Sequence, residues 1–206
     1  SRINSKYFPN ILLNEKLSAT SDTEVLANAD VILLCIPSVA SVDYLLKYRD
    51  LINSDAVIVN LAKGFAKGNE LIPARLSSEF ANRIVTMKGP SFARDIINNI
   101  PTSFTLASEN QDALTEVAGI FEGTTIYFDY SDDVNGVEML SILKNIYAII
   151  IGVVDAHFNS PNFRFMAFTK AFAELRHIHA HFGGKEETLF NYCGIGDFGL
   201  TSLNDI

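Results

Sequence analysis

Val31-Ile32-Leu33-Leu34-Cys35-Ile36-Pro37-Ser38 is a short unbroken apolar run closed by a proline. Four to eight apolar residues without alternation are what a strand buried on both faces requires. Pro37 stops the run, and Ser38 is placed to cap a following segment, Val39 to Ile52, with helical spacing. The pattern then repeats outward along the chain. Ala56 to Leu61 reads as a second strand, followed by Lys63-Gly64, and Asn69 to Phe80 as a helix. Arg83 to Met87 reads as a third strand, followed by Gly89-Pro90-Ser91 and a helical segment from Phe92 to Asn98. Strand and helix alternating at this spacing predict βαβ units and a parallel sheet.

Three special loops therefore follow three successive strands: Pro37-Ser38, Lys63-Gly64 and Gly89-Pro90-Ser91. In open parallel sheets ligands bind just beyond the carboxyl ends of the strands. Glycine lets a backbone approach a ligand closely, and a lysine offers a point charge for phosphate. The three loops predict a ligand crevice on one sheet edge, although each alone is also an ordinary turn.

Beyond Pro101, Thr102 to Ala107 and Thr125 to Phe128 read as strands, with a helix over Gln111 to Phe121 between them. Past Ser131 strand punctuation disappears. Val134 to Phe158 is helical throughout, and a second helix runs from about Asn162 to Phe182, where Gly183-Gly184 ends it. The expected organisation is an α/β domain over residues 1–130 and an all-α domain over 131–206.

Composition narrows the function. The 206 residues are 48% hydrophobic and 19% charged, with 15 Phe and 7 Tyr, enough apolar material for a packed core. The net charge of −8 argues against a nucleic-acid binder, which needs a basic face. Cys35 and Cys193 fit no metal-ligand spacing and read as free thiols of a reducing compartment. The longest apolar run, Ile146 to Val154, is far short of the ~20 residues of a membrane span, and Ser1-Arg2-Ile3-Asn4 has no signal-like character. A soluble cytoplasmic protein is expected.

Three motifs need weighing. Gly194-Ile195-Gly196-Asp197-Phe198-Gly199 matches the dinucleotide fingerprint literally, but only seven residues follow it, too few for the helix and acidic residue the fingerprint requires. His177, His179 and His181, with Glu174 one turn earlier, have zinc-like residue types. Their place near a helix C-terminus suits a structural role instead, with Arg176 and Lys185 disfavouring a divalent cation and no metal expected. Lys144-Asn145 sits in Met139 to Ile151, a helix apolar almost all round. A lysine there either is buried, with a lowered pKa suited to proton transfer, or snorkels its head to water.

These pieces, in this order, resemble NAD(P)-dependent glycerol-3-phosphate dehydrogenases. The resemblance is carried by Ala62-Lys63-Gly64, Lys88-Gly89-Pro90-Ser91-Phe92-Ala93 and Pro101-Thr102, then by Val134 through Glu138, Leu143-Lys144-Asn145 and Gly152. Asn162, Thr169-Lys170, Glu174, Gly194-Ile195-Gly196-Asp197 and Thr201 complete it. It implies a Rossmann-type domain followed by a helical substrate domain. The implied reaction is hydride transfer between NAD or NADP and the C2 position of dihydroxyacetone phosphate or sn-glycerol 3-phosphate, feeding glycerophospholipid synthesis. By the same resemblance Lys144 is the general acid/base and Lys63 touches both cofactor and substrate. Gly89 and Ser91 contact substrate, Ala93 contacts cofactor, and Asn145, Asp197 and Thr201 are further polar positions of the site. Asp197 would orient the Lys144 ammonium while Lys63 lowers its pKa. A homodimer in the cytoplasm is implied, with no membrane and no nucleic-acid partner.

The chain departs from that pattern in three places. It starts after the expected glycine-rich turn and stops about where a Ser-Arg-Asn segment is expected, as a central fragment would. Ala156 to Pro161 replaces a glycine-containing loop, with Arg164 and Phe165 at small-residue positions. Two alternatives stand beside the main reading: a non-catalytic fragment with an interaction role, and a related nicotinamide-dependent hydroxy-acid reductase.

Overall fold

The computed structural model describes residues 2–203. Five strands form one sheet in the order β3 (Val31–Leu34), β4 (Val57–Asn60), β5 (Arg83–Lys88), β6 (Thr102–Ala107) and β7 (Ile126–Ser131), after a separate antiparallel pair, β1 (Ile3–Asn4) and β2 (Phe8–Leu12). The expected parallel pairing holds for β3–β4, β4–β5 and β6–β7, while β5 and β6 run antiparallel. The connection explains the reversal. Its only helix, α3 (Ala93–Ile97), has five residues and rises about 7.5 Å at 1.5 Å per residue. A six-residue strand spans about 20 Å. A helix this short does not cross the sheet, and the chain enters β6 at the end where it leaves β5, with Lys88 opposite Thr105.

The sheet is covered on both faces at its centre, but β3, expected to be buried on both faces, is an edge strand that leaves Leu33 45% exposed. All four residues of β4 are buried. Ile58 packs with Val42 and Leu45 of α1 (Ser38–Lys47) and with Ile72 and Leu76 of α2 (Ile72–Glu79). Val57 and Val59, on the opposite face, pack with Ala113, Leu114 and Val117 of α4 (Gln111–Ile120). Each such side chain contributes roughly 1.5–3 kcal/mol on full burial. A third core joins α5 (Val134–Phe158), α6 (Pro161–His181) and α7 (Asp197–Leu203) through Leu140, Ile151, Leu175 and Phe198.

Several boundaries differ from the sequence reading, each for a local reason. Ser38 is the first residue of α1 rather than its cap; Pro37 takes the cap position, and the Ser38 carbonyl accepts from Ser41 Oγ at 2.8 Å. The helix stops at Lys47, not Ile52, because the chain tightens into a 3-10 turn at Arg49–Leu51. Helix α2 starts at Ile72 rather than Asn69, since Asn69 has φ 62° and Pro73 sits in the first turn. In the α5–α6 loop Asn159 adopts φ 38°, and Arg164 grips both carboxylate oxygens of Asp155. Phe158 meets Phe163 with ring centroids 4.3 Å apart. The residues that depart from the family pattern hold their loop through contacts of their own.

Helix α5 is, among the described residues, the one helix long and apolar enough to cross a membrane. Half of its most apolar window is buried inside the protein, and buried Lys144 lies along it.

Candidate active site

The loop after β4, the middle of α5 and the start of α7 meet at one carboxylate. Lys144 is 3% exposed and pairs with Oδ1 of Asp197. Lys63 approaches Oδ2 of the same side chain at 3.2 Å. Lys144 Nζ also donates to Thr201 Oγ1 at 3.1 Å, and that hydroxyl donates to the Asp197 carbonyl at 2.7 Å. Of the two readings open for Lys144, burial with a partner is the one observed. Lys63 keeps about a third of its side chain exposed, so it is the open cation of the pair.

Asp197 is held by its approach segment. The backbone N–H of Tyr192 donates to Asp129 Oδ2 and that of Cys193 to Thr105 Oγ1, both at 2.9 Å, tying residues 192–196 to β6 and β7. Only glycine fits at 194, where a Cβ would lie 2.2 Å from the Leu189 carbonyl oxygen. The literal glycine fingerprint thus lies in a π-type turn entering α7, not between a strand and a helix.

Burial pulls the Lys144 ammonium down from the usual lysine range to about 8; Asp197 pulls the other way, and Lys63 adds to the lowering. The result is a lysine that carries or releases a proton near neutral pH. Cys193 is the opposite case, buried and pushed up to about 12 by desolvation, hence an inert thiol. Cys35 is a second free thiol, exposed at the end of β3.

The other residues implied by the resemblance are less directly engaged. Gly89 is buried, and a Cβ there would lie 2.5 Å from the Ser103 carbonyl oxygen, so glycine is required by packing against β6. Pro90 lies beside Gly196, which brings the Gly89–Ser91 loop next to Asp197. Ser91 Oγ turns back to the Gly89 carbonyl at 3.2 Å. Asn145 is exposed and donates to the Ser141 carbonyl, and Ala93 is exposed at the start of α3. Neither joins the lysine cluster by a hydrogen bond among the described residues.

The sequence reading missed a second buried cation. Lys88 and Glu138 are both fully buried and 3.0 Å apart, with Asn60 and Thr86 also donating to Glu138 Oε1. The available signal was one polar residue inside each of three apolar segments. The histidines separate: His179 is buried with Nε2 3.0 Å from the Lys185 carbonyl, whereas His177 and His181 are exposed.

The loops beyond β3 and β4 touch. Gly64 has φ 137°, and a Cβ on it would lie 2.6 Å from Ser38 Oγ. No side chain caps the N-terminus of α1, which leaves backbone N–H donors beside these loops. Such donors, with the partly exposed Lys63, fit the phosphate and amide chemistry of a nicotinamide dinucleotide.

A sheet wound in this order, with a buried lysine–carboxylate cluster placed at its strand ends by a following helical region, defines a chain of the Rossmann-type α/β class. Residues 1–114 match the family model of the NAD-dependent glycerol-3-phosphate dehydrogenase N-terminus, and residues 133–205 match that of its C-terminus. The chain belongs to the NAD-dependent glycerol-3-phosphate dehydrogenase family. It is 31% identical to the glycerol-3-phosphate dehydrogenase [NAD(P)+] of Halothermothrix orenii over 99% of this chain and 60% of that protein. The enzyme of the same name from Neorickettsia sennetsu is 30% identical over 98% of this chain and 61% of its own length. The crystal structure of glycerol-3-phosphate dehydrogenase from Coxiella burnetii superposes with a TM-score of 0.92 at 31% identity, covering 99% of this chain and 63% of that one. The chain therefore spans about 60% of the length of the curated relatives it matches.

Proposed function

We propose that this chain supplies the acid–base centre of an NAD(P)-dependent dehydrogenase that interconverts dihydroxyacetone phosphate and sn-glycerol 3-phosphate, a product used in glycerophospholipid synthesis. The observation that carries the reading is the buried Lys144 ammonium on Asp197, with Lys63 on the same carboxylate. The bound nicotinamide supplies or accepts the hydride at substrate C2. In the direction of reduction Lys144 gives its proton to the C2 oxygen and is left as a neutral amine. In oxidation it takes that proton back. A lysine pulled to about 8 can do both near neutral pH.

Asp197 and Thr201 fix the direction of the Lys144 ammonium, and the half-open Lys63 meets ligand phosphate or nicotinamide. Gly89 and Ser91 offer backbone and hydroxyl groups to substrate, Ala93 lies on the cofactor side, and Asn145 reaches substrate from α5. In this reading residues 1–130 form the dinucleotide-binding part and 131–206 the substrate part. The protein is cytoplasmic and a homodimer, and the exposed Ile149, Val153 and Phe165 offer apolar area for a partner surface. Light scattering on the purified full-length protein tests the dimer.

The activity is tested on the full-length protein with NADH and NADPH against dihydroxyacetone phosphate, dihydroxyacetone and a 2-keto acid. The phosphorylated ketone should be reduced with a kcat/KM far above the others. Equal turnover of all three, or preference for the keto acid, would reject the assignment.

A further inference from the structure

Lys88 is a cation that no substrate can reach, since its side chain has no exposed surface. Its ammonium has three partners. It donates to the carbonyls of Asn60 at 3.2 Å and Ala62 at 2.5 Å, and pairs with Glu138 Oε1 at 3.0 Å. The two carbonyls belong to the segment that leads directly into Lys63. Glu138 belongs to α5, six residues before Lys144 and about 9 Å lower on the helix at 1.5 Å per residue. One ammonium therefore holds both lysine-bearing segments.

The remaining bonds to Glu138 come from the sheet. Asn60 and Thr86 are neighbours in register on β4 and β5. They donate to Glu138 Oε1 at 2.7 and 2.8 Å, and Asn60 Oδ1 accepts from the Ala62 N–H at 3.1 Å. Lys88 lies two residues beyond Thr86, on the same face of the sheet. Three donors from two strands thus converge on a single oxygen of α5, while the other oxygen, Oε2, is buried with no hydrogen-bond partner in the described structure.

An ion pair at such a place is hard to explain by stability. Taking two charges out of water is costly, and an apolar pair of similar volume often holds a core as well or better. What an apolar contact lacks is direction. Hydrogen bonds to one carboxylate oxygen specify the rotation and height of α5 against the sheet, and these decide where Lys144 falls relative to Lys63. We infer that Lys88, locked onto Glu138, is a positioning residue that sets Lys63 and Lys144 against their shared carboxylate. Where turnover is concerned, this rests on the dehydrogenase reading above. The groups facing Lys144 itself are Asp197 and Thr201 from α7 and Lys63 from the β4 loop.

The double variant Lys88→Met/Glu138→Gln keeps both side-chain lengths and removes both charges. In the full-length protein its melting temperature should stay close to that of the wild type. Its kcat/KM for dihydroxyacetone phosphate with NADH should fall at least tenfold. Independently of turnover, the titration of Lys144, followed by NMR of lysines labelled at Cε, should move up from about 8 toward the ordinary lysine value as the ammonium swings toward water. A folded double variant with wild-type kcat/KM and an unmoved Lys144 titration would overturn the inference and leave the pair as a core contact only. If the double variant does not fold, Thr86→Val is read in the same two ways, since it keeps the ion pair and removes one of the three donors that fix Glu138. If the wild type reduces no phosphorylated ketone, the dehydrogenase reading falls, and the Lys144 titration still decides the positioning role.

Discussion

Lys144 and Lys63 face opposite oxygens of one carboxylate, Lys144 on Oδ1 of Asp197 and Lys63 3.2 Å from Oδ2. The two lysines come from parts of the chain 81 positions apart, one from a loop beyond a strand and one from the interior of a helix. Each cation disfavours the other's charge, and the carboxylate between them limits that effect. The cluster therefore keeps one closed lysine able to exchange a proton and one open lysine able to meet a ligand.

Replacing Lys144 by methionine tests the closed lysine. Proton transfer by a placed side chain is worth ~10²–10⁴-fold. Turnover in the full-length protein should fall by that factor with little change in KM. The fold should survive, because Asp197 keeps Lys63 as its counterion. Steady-state kinetics with a parallel thermal melt checks both halves. Near-normal turnover would remove Lys144 from the chemistry.

The pH dependence follows from the same burial. Folded Lys144 titrates at about 8, below the ~10.4 of an unfolded lysine. Below about 8 both states hold the proton, and the cost of burying it is fully present. Between these values the unfolded chain binds more protons, so this group makes stability rise with pH. The full gain is about 3 kcal/mol, at 1.36 kcal/mol per unit, for a side chain 4% exposed. Urea unfolding of wild type against Lys144→Met at pH 7 and pH 10 should show that difference opening in favour of the wild type. Ketone reduction should fall above about pH 8, where the proton donor is lost, and alcohol oxidation should rise through the same range.

Much of this was legible in the sequence because it rests on local pattern. The strands β3 to β5 announce themselves as apolar runs, and α5 and α6 as long segments without strand punctuation. Lys144 stood out because a lysine in an apolar helix has few places to go. The antiparallel turn of β6 did not, because strand direction depends on whether the connecting segment crosses the sheet, and its five-residue helix does not. The Lys88–Glu138 pair was equally hidden. Glu138 stands out as a lone charge in an apolar stretch, but only the packing of α5 across β4 and β5 shows that its partner is Lys88. The histidine run divides, since a helix sends His179 inward and leaves His177 and His181 in water.

Gly89 is expected to be intolerant for reasons of packing. Alanine would place its Cβ 2.5 Å from the Ser103 carbonyl oxygen and 2.8 Å from Phe104 Cα. Both are backbone atoms of β6, so relief requires β5 and β6 to separate. Overpacking of this kind costs about 1–3 kcal/mol. Gly196→Ala is the control, because its Cβ would make only an ordinary 3.7 Å contact with Pro90. Urea midpoints should fall clearly for Gly89→Ala and stay within about 0.5 kcal/mol for Gly196→Ala.

Substitutions on the two sides of Lys144 should move its titration in opposite directions. Asp197 holds the Lys144 pKa up, so Asp197→Asn should send the falling limb of ketone reduction to lower pH. Lys63 holds it down, so Lys63→Ala should send that limb to higher pH. The second shift is reinforced because Asp197, freed of Lys63, is left to Lys144 alone. Charges within 4–6 Å move a pKa by about 1–3 units, so shifts of about one unit are expected, well within reach of a pH–rate series. The kinetic constants should separate too. The contact proposed between Lys63 and ligand exists in ground and transition states alike, so Lys63→Ala should raise KM as well. Asp197→Asn should lower kcat with less effect on KM, because it disturbs the direction of the Lys144 ammonium rather than a ligand contact. Limbs moving the same way in both variants would mean that Lys144 does not control the profile, and the cluster would then be an ion-pair network at a structural junction.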